Sequence, residues 1–447
     1  MFGQLGQHVG APLGNNRGAV LVITLFVVAL VTILILEYHY DAAVEIELAD
    51  NHANDAKAYA LAMSGLSVAQ AILAKDTNDY DGNDELWYRL DDFIRKSFGG
   101  CISPNDLLTL GDKYEAYLES LTSREDTPEE APPSGPAPPA CLTLKIVDEN
   151  RKLPINLILE DQTEVETHWA GIAALLLRAL WSEEEGRDLP EDAIGAVMDW
   201  IDRSEGSVRG GDVGGEDDYY QTLDPPYKTP GRKLEVPGEL RMIRWFTSEE
   251  EPKYQRLAKL FDGLESNDIP YTDLGTNLYF STFGHDQVNI NTVHPGLLLA
   301  MTNNSDTCFS QILEEIDRRK PSEDEEPEPF KTPNDVDAIT CLTDAIPVTD
   351  LPEIQLLQRD ANPGGGGPDY TPDELLAITS TYFRVESQAI IDGVINKKVI
   401  AVFHREPGGG AGSQGGRSGR QGGSQGGGAG RQGGSNDPPK MVYFKIE

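Results

Sequence analysis

The chain has 447 residues, with 74 Asp and Glu against 37 Lys and Arg, and a formal net charge of −37. That length allows two or three domains with cores of their own. The charge excludes a nucleic-acid binder, because a phosphate backbone is held by a basic surface that displaces its counterions. It favours solubility, cations or basic partners instead.

At the amino terminus Arg17 is followed by an apolar run from Ala19 to Leu36, broken only by Thr24 and Thr32. Eighteen residues of helix rise about 27 Å, close to the ~30 Å hydrocarbon core of a bilayer. A secretory signal peptide would end in a small-x-small cleavage site, whereas this run ends in Glu37-Tyr38-His39-Tyr40. Arg17 precedes the span, and Glu37, Asp41, Glu45 and Glu47 follow it. That asymmetry leaves the N-terminus in the cytoplasm and the bulk outside. No Gly or Pro interrupts the chain between Gly18 and Gly65. One helix is therefore expected from Ala19 to Lys75, about 85 Å long, with 19–36 in the membrane. Beyond the span Ile46, Ala49, Ala53, Ala56, Ala60 and Met63 recur at steps of three and four. They form a narrow Ala-rich stripe against which another helix can pack closely.

Asp76 to Glu85, "DTNDYDGNDE", reads as an acidic, solvated turn; no register in it places the ligands of an EF-hand. "LWYRLDDFIRKSF" (Leu86 to Phe98) reads as an amphipathic helix, and Thr127 to Pro139 as a Pro-rich linker. In "CLTLKIVDENRKLPINLI", Leu142, Leu144 and Ile146 alternate with Thr143 and Lys145, which marks a strand. From 161 to 345 the chain reads as mostly helical. Its pieces are "AGIAALLLRALW", "LPEDAIGAVMDWID", "VPGELRMIRWF", "EPKYQRLAKLFDGL", "QVNINTVHPGLLLAM" and "FKTPNDVDAI". A VNIN turn also occurs in helix-hairpin-helix DNA binders. This one lacks their Gly-x-Gly nest and has an acidic neighbourhood, so it reads as a turn between packed helices.

After Pro368, "STYFRVESQAIIDGVINKKVIAVFHRE" alternates as two strands turning near Asp392-Gly393, and "KMVYFKIE" is a terminal strand. The Gly-rich stretch 407–435 between them holds three Arg and no acidic residue and reads as a flexible hairpin loop. "PGGGGP" is a shorter loop; it is no phosphate cradle, since no strand leads into it and no Lys-Ser or Lys-Thr follows. The expected fold class is α+β: a long N-terminal helix and an antiparallel sheet, with a large helical domain inserted. The expected segments are 1–18, 19–75, 76–160, 161–345 and 346–447.

Enzyme signatures are sparse. None of the seven His lies in an HExxH spacing, and no Gly-x-Ser-x-Gly elbow occurs. The four Cys form no CxxC pair. They allow three connectivities. In an oxidising compartment the expectation is pairing within each region, Cys101 with Cys141 flanking the Pro-rich linker and Cys308 with Cys341 in the insertion.

One stretch suggests a cation. In "DWIDRSEGSVRGGDVGGEDDYY", Asp199 and Asp202 are spaced i,i+3 at a helix end, where the helix dipole already places negative charge. The Gly-rich loop that follows brings Asp212, Glu216, Asp217 and Asp218 back towards them. Calcium takes six to eight oxygens from a flexible shell. Zinc is disfavoured, since no Cys or His is near. Read from the residues alone, a solvated acidic loop is the preferred reading of the stretch.

Taken together, a Gly-ended leader, a helix that is first apolar and then amphipathic, and the motifs "DWID…GGEDDYY", "LDPPY", "VNINT" and "STYFRV" resemble the GspK family. These are minor pseudopilins of the type II secretion system. The resemblance covers nearly the whole chain. Most pilin-like proteins carry Glu at the fifth mature position; this chain has Ile23 there, as GspK proteins lack that Glu. A tip subunit has no preceding N-terminal amine to neutralise a buried carboxylate. The resemblance implies cleavage between Gly18 and Ala19 by a prepilin peptidase and a place at the tip of a periplasmic pseudopilus. It also implies minor pseudopilins I and J as partners, a role in starting assembly and export, and structural calcium at the acidic stretch. Two other readings are a membrane-anchored periplasmic enzyme and a minor pilin of a type IV pilus. The inserted domain and the missing Glu speak against the second.

Overall fold

A computed structural model describes residues 16–76, 78–122, 138–159, 167–182, 193–202, 217–244, 246, 279–303, 305–319, 328–344, 346, 370–406 and 438–447. Within them α1 (Asn16–Lys75) is one unbroken helix of 60 residues. It is about 90 Å long at 1.5 Å per residue. It begins three residues before Ala19, so the Gly18–Ala19 bond lies in its first turn. Every side chain from Ala19 to Leu36 is exposed. This is the one helix among the described residues long and apolar enough to cross a membrane.

Only the last third of α1 packs within the chain. Ala58, Leu61, Ala62, Leu66, Ala69 and Leu73 are buried against a four-stranded antiparallel sheet. Its strands are β1 (Ala140–Asp148), β6 (Tyr382–Ile391), β7 (Ile395–His404) and β8 (Lys440–Ile446), in that spatial order. Alternate residues Leu142, Leu144, Ile146, Phe383, Val385, Ala389, Val399, Ala401 and Phe403 face the helix, as the period of two demands. At Gly65 the approach is closest. A Cβ there would collide with Ser387 Oγ, which donates to the Ala62 carbonyl at 2.8 Å. The β6–β7 turn has Asp392 and Gly393 at φ 52° and 70°, the left-handed pair of a two-residue hairpin.

The amphipathic α2 (Leu86–Phe98) buries Trp87, Leu90, Phe93, Ile94 and Phe98 in the same core. It ends at Gly99 in the αL region, whose N–H caps Ile94. α3 (Leu110–Thr122), not anticipated from the sequence, packs beside it through Tyr114 and Tyr117. The Cys101–Cys141 disulfide ties the loop between α2 and α3 to β1, with Cα atoms 5.3 Å apart.

A second core is built by the insertion. Its helices are α4 (Thr167–Ser182), α5 (Ala193–Ile201), α6 (Asp217–Tyr220), α7 (Pro295–Met301), α8 (Asp306–Arg318) and α9 (Pro333–Asp337). α5 is buried on every side, and α4 packs against both α5 and α7. Cys308 on α8 is bonded to Cys341, Cα atoms 5.6 Å apart. The "VPGELRMIRWF" stretch is a 3-10 turn over Pro237–Met242, where an α-helix was expected. Pro237 opens it, and the Leu240 carbonyl is capped by the N–H of Ile243. Two short parallel pairs stitch the insertion to its flanks: β2 (Leu153–Pro154) with β3 (Phe280–Ser281), and β4 (Val288–Asn289) with β5 (Leu376–Ala377). The second core therefore recruits Leu153 to Leu159 and Tyr370 to Ile378, beyond the expected limits 161–345.

The Pro-rich linker up to residue 137, the "EPKYQRLAKLFDGL" helix, the "PGGGGP" loop and the Gly-rich stretch 407–435 lie outside the described residues.

Candidate functional site

Two features carry functional information: the outer face of α1 and the joint between the two cores. On α1, Ile46, Ala49, Ala53, Ala56 and Ala60 are exposed. At about 100° per residue they fall on the side of the helix opposite the sheet-facing residues Ala58, Ala62, Gly65 and Ala69. Met63 departs from the expected stripe; it is half-buried against the chain's own core. Asp55 reaches back to Lys397 on β7 at 2.9 Å, an ion pair between the helix and the sheet alongside the stripe.

The joint lies at the far end of the sheet, where β1 ends and β6 starts. Asp148 is fully enclosed there. Its Oδ2 accepts from Ser380 Oγ at 2.6 Å and Thr292 Oγ1 at 2.5 Å, and its Oδ1 from the Asn150 N–H at 2.7 Å. Asn289 Nδ2 lies 2.8 Å from Ser380 Oγ, 3.1 Å from the Asp81 carbonyl and 3.2 Å from Asp148 Oδ2. Asn150 Oδ1 accepts the N–H groups of Thr381 and Tyr382, and its Nδ2 donates to Gln287. Asn291 donates to the carbonyls of Asp81 and Phe330 and accepts the Phe330 N–H at 2.7 Å. Five chain segments far apart in sequence thus meet through short polar side chains. Burial pushes the Asp148 carboxyl above its usual range, and the hydrogen bonds from Ser380, Thr292 and Asn150 oppose this.

Beside Asp148 a second buried network completes the joint. Glu149 binds Lys152 at 2.8 Å and Arg384 at 3.2 Å, and Glu386 binds Lys398 at 2.9 Å. Burial alone would raise Glu149, but the two cations beside it hold it below the usual carboxylate range.

The acidic turn 76–85 is only partly solvated, contrary to expectation: Asn78 and Asp79 are exposed. Asp81 and Glu85 are buried. Arg405, from the end of β7, pairs with Asp76 at 2.6 Å and with Asp81. Glu85 accepts from Trp87 Nε1 at 2.7 Å, Asn78 Nδ2 at 2.7 Å and the Gly82 N–H at 3.0 Å. Opposite charge inside the fold, supplied by Arg405, overrides the solubility suggested by composition.

Of the proposed cation ligands, Asp199 and Asp202 are buried at the end of α5. Asp217 and Asp218 open α6, whose Tyr220 ring packs on Trp200 of α5 with centroids 5.2 Å apart. The backbone carrying Asp217 and Asp218 is therefore brought next to the α5 end. Asp212 and Glu216 lie outside the described residues.

The joint residues were quoted in the sequence as motifs without being assigned a site. "IVDENRK" supplies Asp148, Glu149, Asn150 and Lys152; "VNINT" supplies Asn289, Asn291 and Thr292; "STYFRV" supplies Ser380, Tyr382 and Arg384. The available signal was Asp, Asn and Ser embedded in apolar runs.

Residues 152–261 match the family model described as type II secretion system (T2SS), protein K, first domain. No curated protein matches the sequence. Among solved structures, a chain of the GspK-GspI-GspJ complex from the enterotoxigenic Escherichia coli type 2 secretion system is similar. The alignment covers 91% of this chain and 99% of that chain, at 13% identity and a TM-score of 0.44.

Asn289→Ala should lower unfolding stability by about 3 kcal/mol, because it strips a donor shared by buried acceptors including the Asp148 carboxylate. Denaturant unfolding of the detergent-solubilised chain reads this; a loss below about 1 kcal/mol would show that the contacts are dispensable.

Proposed function

We propose that this chain is a protein K of the type II secretion system, a reading supported by the family match over residues 152–261, and that it works as a minor pseudopilin. The observation that carries the reading is the division of α1. Its first forty residues or so are exposed on all sides, and only Ala58 onward is packed by the chain itself. A helix so apolar and so bare needs lipid around Ala19–Leu36 and other helices along its outer stripe.

In this reading α1 is anchored in the inner membrane with the bulk in the periplasm, after a prepilin peptidase has cut between Gly18 and Ala19. The partners are the minor pseudopilins I and J, the subunits named with GspK in the solved complex. The place is the tip of the pseudopilus, where the subunit helps to start assembly and export. The insertion supports that place: a second core on each subunit would crowd a closely packed filament. Among the described residues nothing resembles a catalytic constellation, and a structural role accounts for the buried joint.

Placing Arg at Ala53 or Ala56 sets a long cation on the outer stripe while leaving the sheet-facing side of α1 intact. Co-purification of I and J should fall at least tenfold, a loss of roughly 1.4 kcal/mol or more, with the melting temperature of the chain unchanged. Unaltered co-purification would remove this stripe as the interface.

Calcium at the α5–α6 junction belongs to the same proposal. The residues fit it: two buried carboxylates close a helix, and the backbone of two more acidic residues is held beside them through Trp200 and Tyr220. Asp199, Asp202, Asp212, Glu216, Asp217 and Asp218 would share an ion that pins the loop. A chelator should then lower the melting temperature, with calcium restoring it and magnesium doing so poorly, and an Asp202→Ala, Asp218→Ala double variant should be indifferent to both. A wild-type melt unaffected by chelator would contradict the site.

A further inference from the structure

The joint contains more buried acid than base where α1 ends. Ligand oxygens of Asp76, Asp81 and Glu85 lie within 4.8 Å of one another. One guanidinium, Arg405, reaches Asp76 and Asp81 but makes no ion pair with Glu85 among the described contacts. Three carboxylates against one cation leave an excess of negative charge out of water, where like charges repel strongly. The cheapest way to relieve it is to keep a proton.

The knot also sits at a mechanical junction. Asp76 follows the last turn of α1, Glu85 precedes α2, and Arg405 follows β7. Asp81 binds the Ser380 N–H through its carboxylate at 2.7 Å, and its carbonyl accepts from Asn289 and Asn291 of the insertion. The turn abuts the insertion at Gly82 as well, where an added Cβ would lie 2.9 Å from Pro329 Cβ. A change of charge inside the knot therefore acts on the contacts that hold the insertion to the sheet.

We propose that Asp76, Asp81, Glu85 and Arg405 form a proton-dependent fastener between the two cores, tight when the knot holds one proton and loosened when that proton leaves.

The charged and titratable groups facing it are few. Asp84 and Tyr80 lie in the turn itself, hydrogen-bonded at 2.9 Å, and Lys331 from the insertion stands over the Tyr80 ring. Arg89 on α2 and Tyr114 on α3 lie on the Glu85 side. Asp148 lies behind Asn289 and Ser380. None adds a second cation to the buried oxygens of Glu85. Burial raises Asp81 to about 7, against the pull of Arg405 and the Ser380 amide. Glu85 is raised to about 8, by burial first and by Asp76 and Asp81 next.

A carboxyl raised in the folded state stabilises it fully below the unfolded pKa near 4, and that contribution is lost as pH rises through the folded value. The window is therefore about pH 4 to 8, with stability falling as pH rises across it. Acidic groups held below their usual range, such as Glu149, change stability in the opposite sense and at lower pH.

The test compares the full chain in detergent with its Glu85→Gln variant, which mimics the protonated state. Thermal unfolding is followed from pH 5.5 to 8.5. The wild type should lose stability towards pH 8.5, and the variant should lose less, so that the two curves diverge with pH. Parallel curves would overturn the proposal. If the variant does not fold, hydrogen exchange of wild-type peptides 76–90 and 286–294 decides it. After correction for the intrinsic pH dependence of exchange, protection should fall by up to about tenfold per pH unit between about pH 5.5 and 8, the limit for one linked proton, and level off above. Protection independent of pH would overturn it.

Discussion

A carboxylate sealed away from water has to be met on every side by donors, and Asp148 imposes that requirement on the whole molecule. It terminates β1 at the point where the chain leaves the sheet for the insertion. Its partners come from the turn before α7 and from the start of β6, so neither core can take its place without the other. Asn289 extends the constraint to the turn after α1. The polar joint thus fixes the direction in which the insertion leaves the core formed by α1 and the sheet. A purely apolar contact would bury surface without specifying an angle, whereas hydrogen bonds left half-made at this depth are costly.

With the insertion set in place at one end, α1 is free to serve another purpose at the other. Its sheet-facing side is narrow and built of Ala and Gly65, which brings the helix close and lets Ser387 bind its backbone. The opposite side carries Ala49, Ala53, Ala56 and Ala60, open to an equally close helix from outside. In the proposed reading one element joins three environments in series: lipid along Ala19–Leu36, partner helices along the stripe, and the chain's own sheet from Ala58 onward.

The long helix was legible because its pattern is continuous: an apolar run of membrane length, then a stripe at helical spacing, then Lys75 before an acidic turn. α2 and the strands of the sheet were legible for the same reason, since periods of 3.6 and 2 are local properties of sequence. The joint was not. Asp81 and Glu85 look solvent-loving in "DTNDYDGNDE", and only Arg405, more than three hundred residues later, makes their burial tolerable. Asn289 and Ser380 carry no local sign of sharing a carboxylate. The short pairs β2–β3 and β4–β5 have two residues per strand, too few for any periodicity to register. What the sequence offered there was motif likeness, and the residues of those motifs are the ones that converge.

The identity of α1 as a processed pilin-like helix is the central claim, and the first residue of the mature chain tests it most directly. The protein is extracted from membranes of cells that contain a prepilin peptidase and analysed by N-terminal sequencing and intact mass. Ala19 as the first residue, with 1–18 removed, is the predicted result. A chain that retains residues 1–18 under those conditions would contradict it, and would favour an anchored protein of another kind.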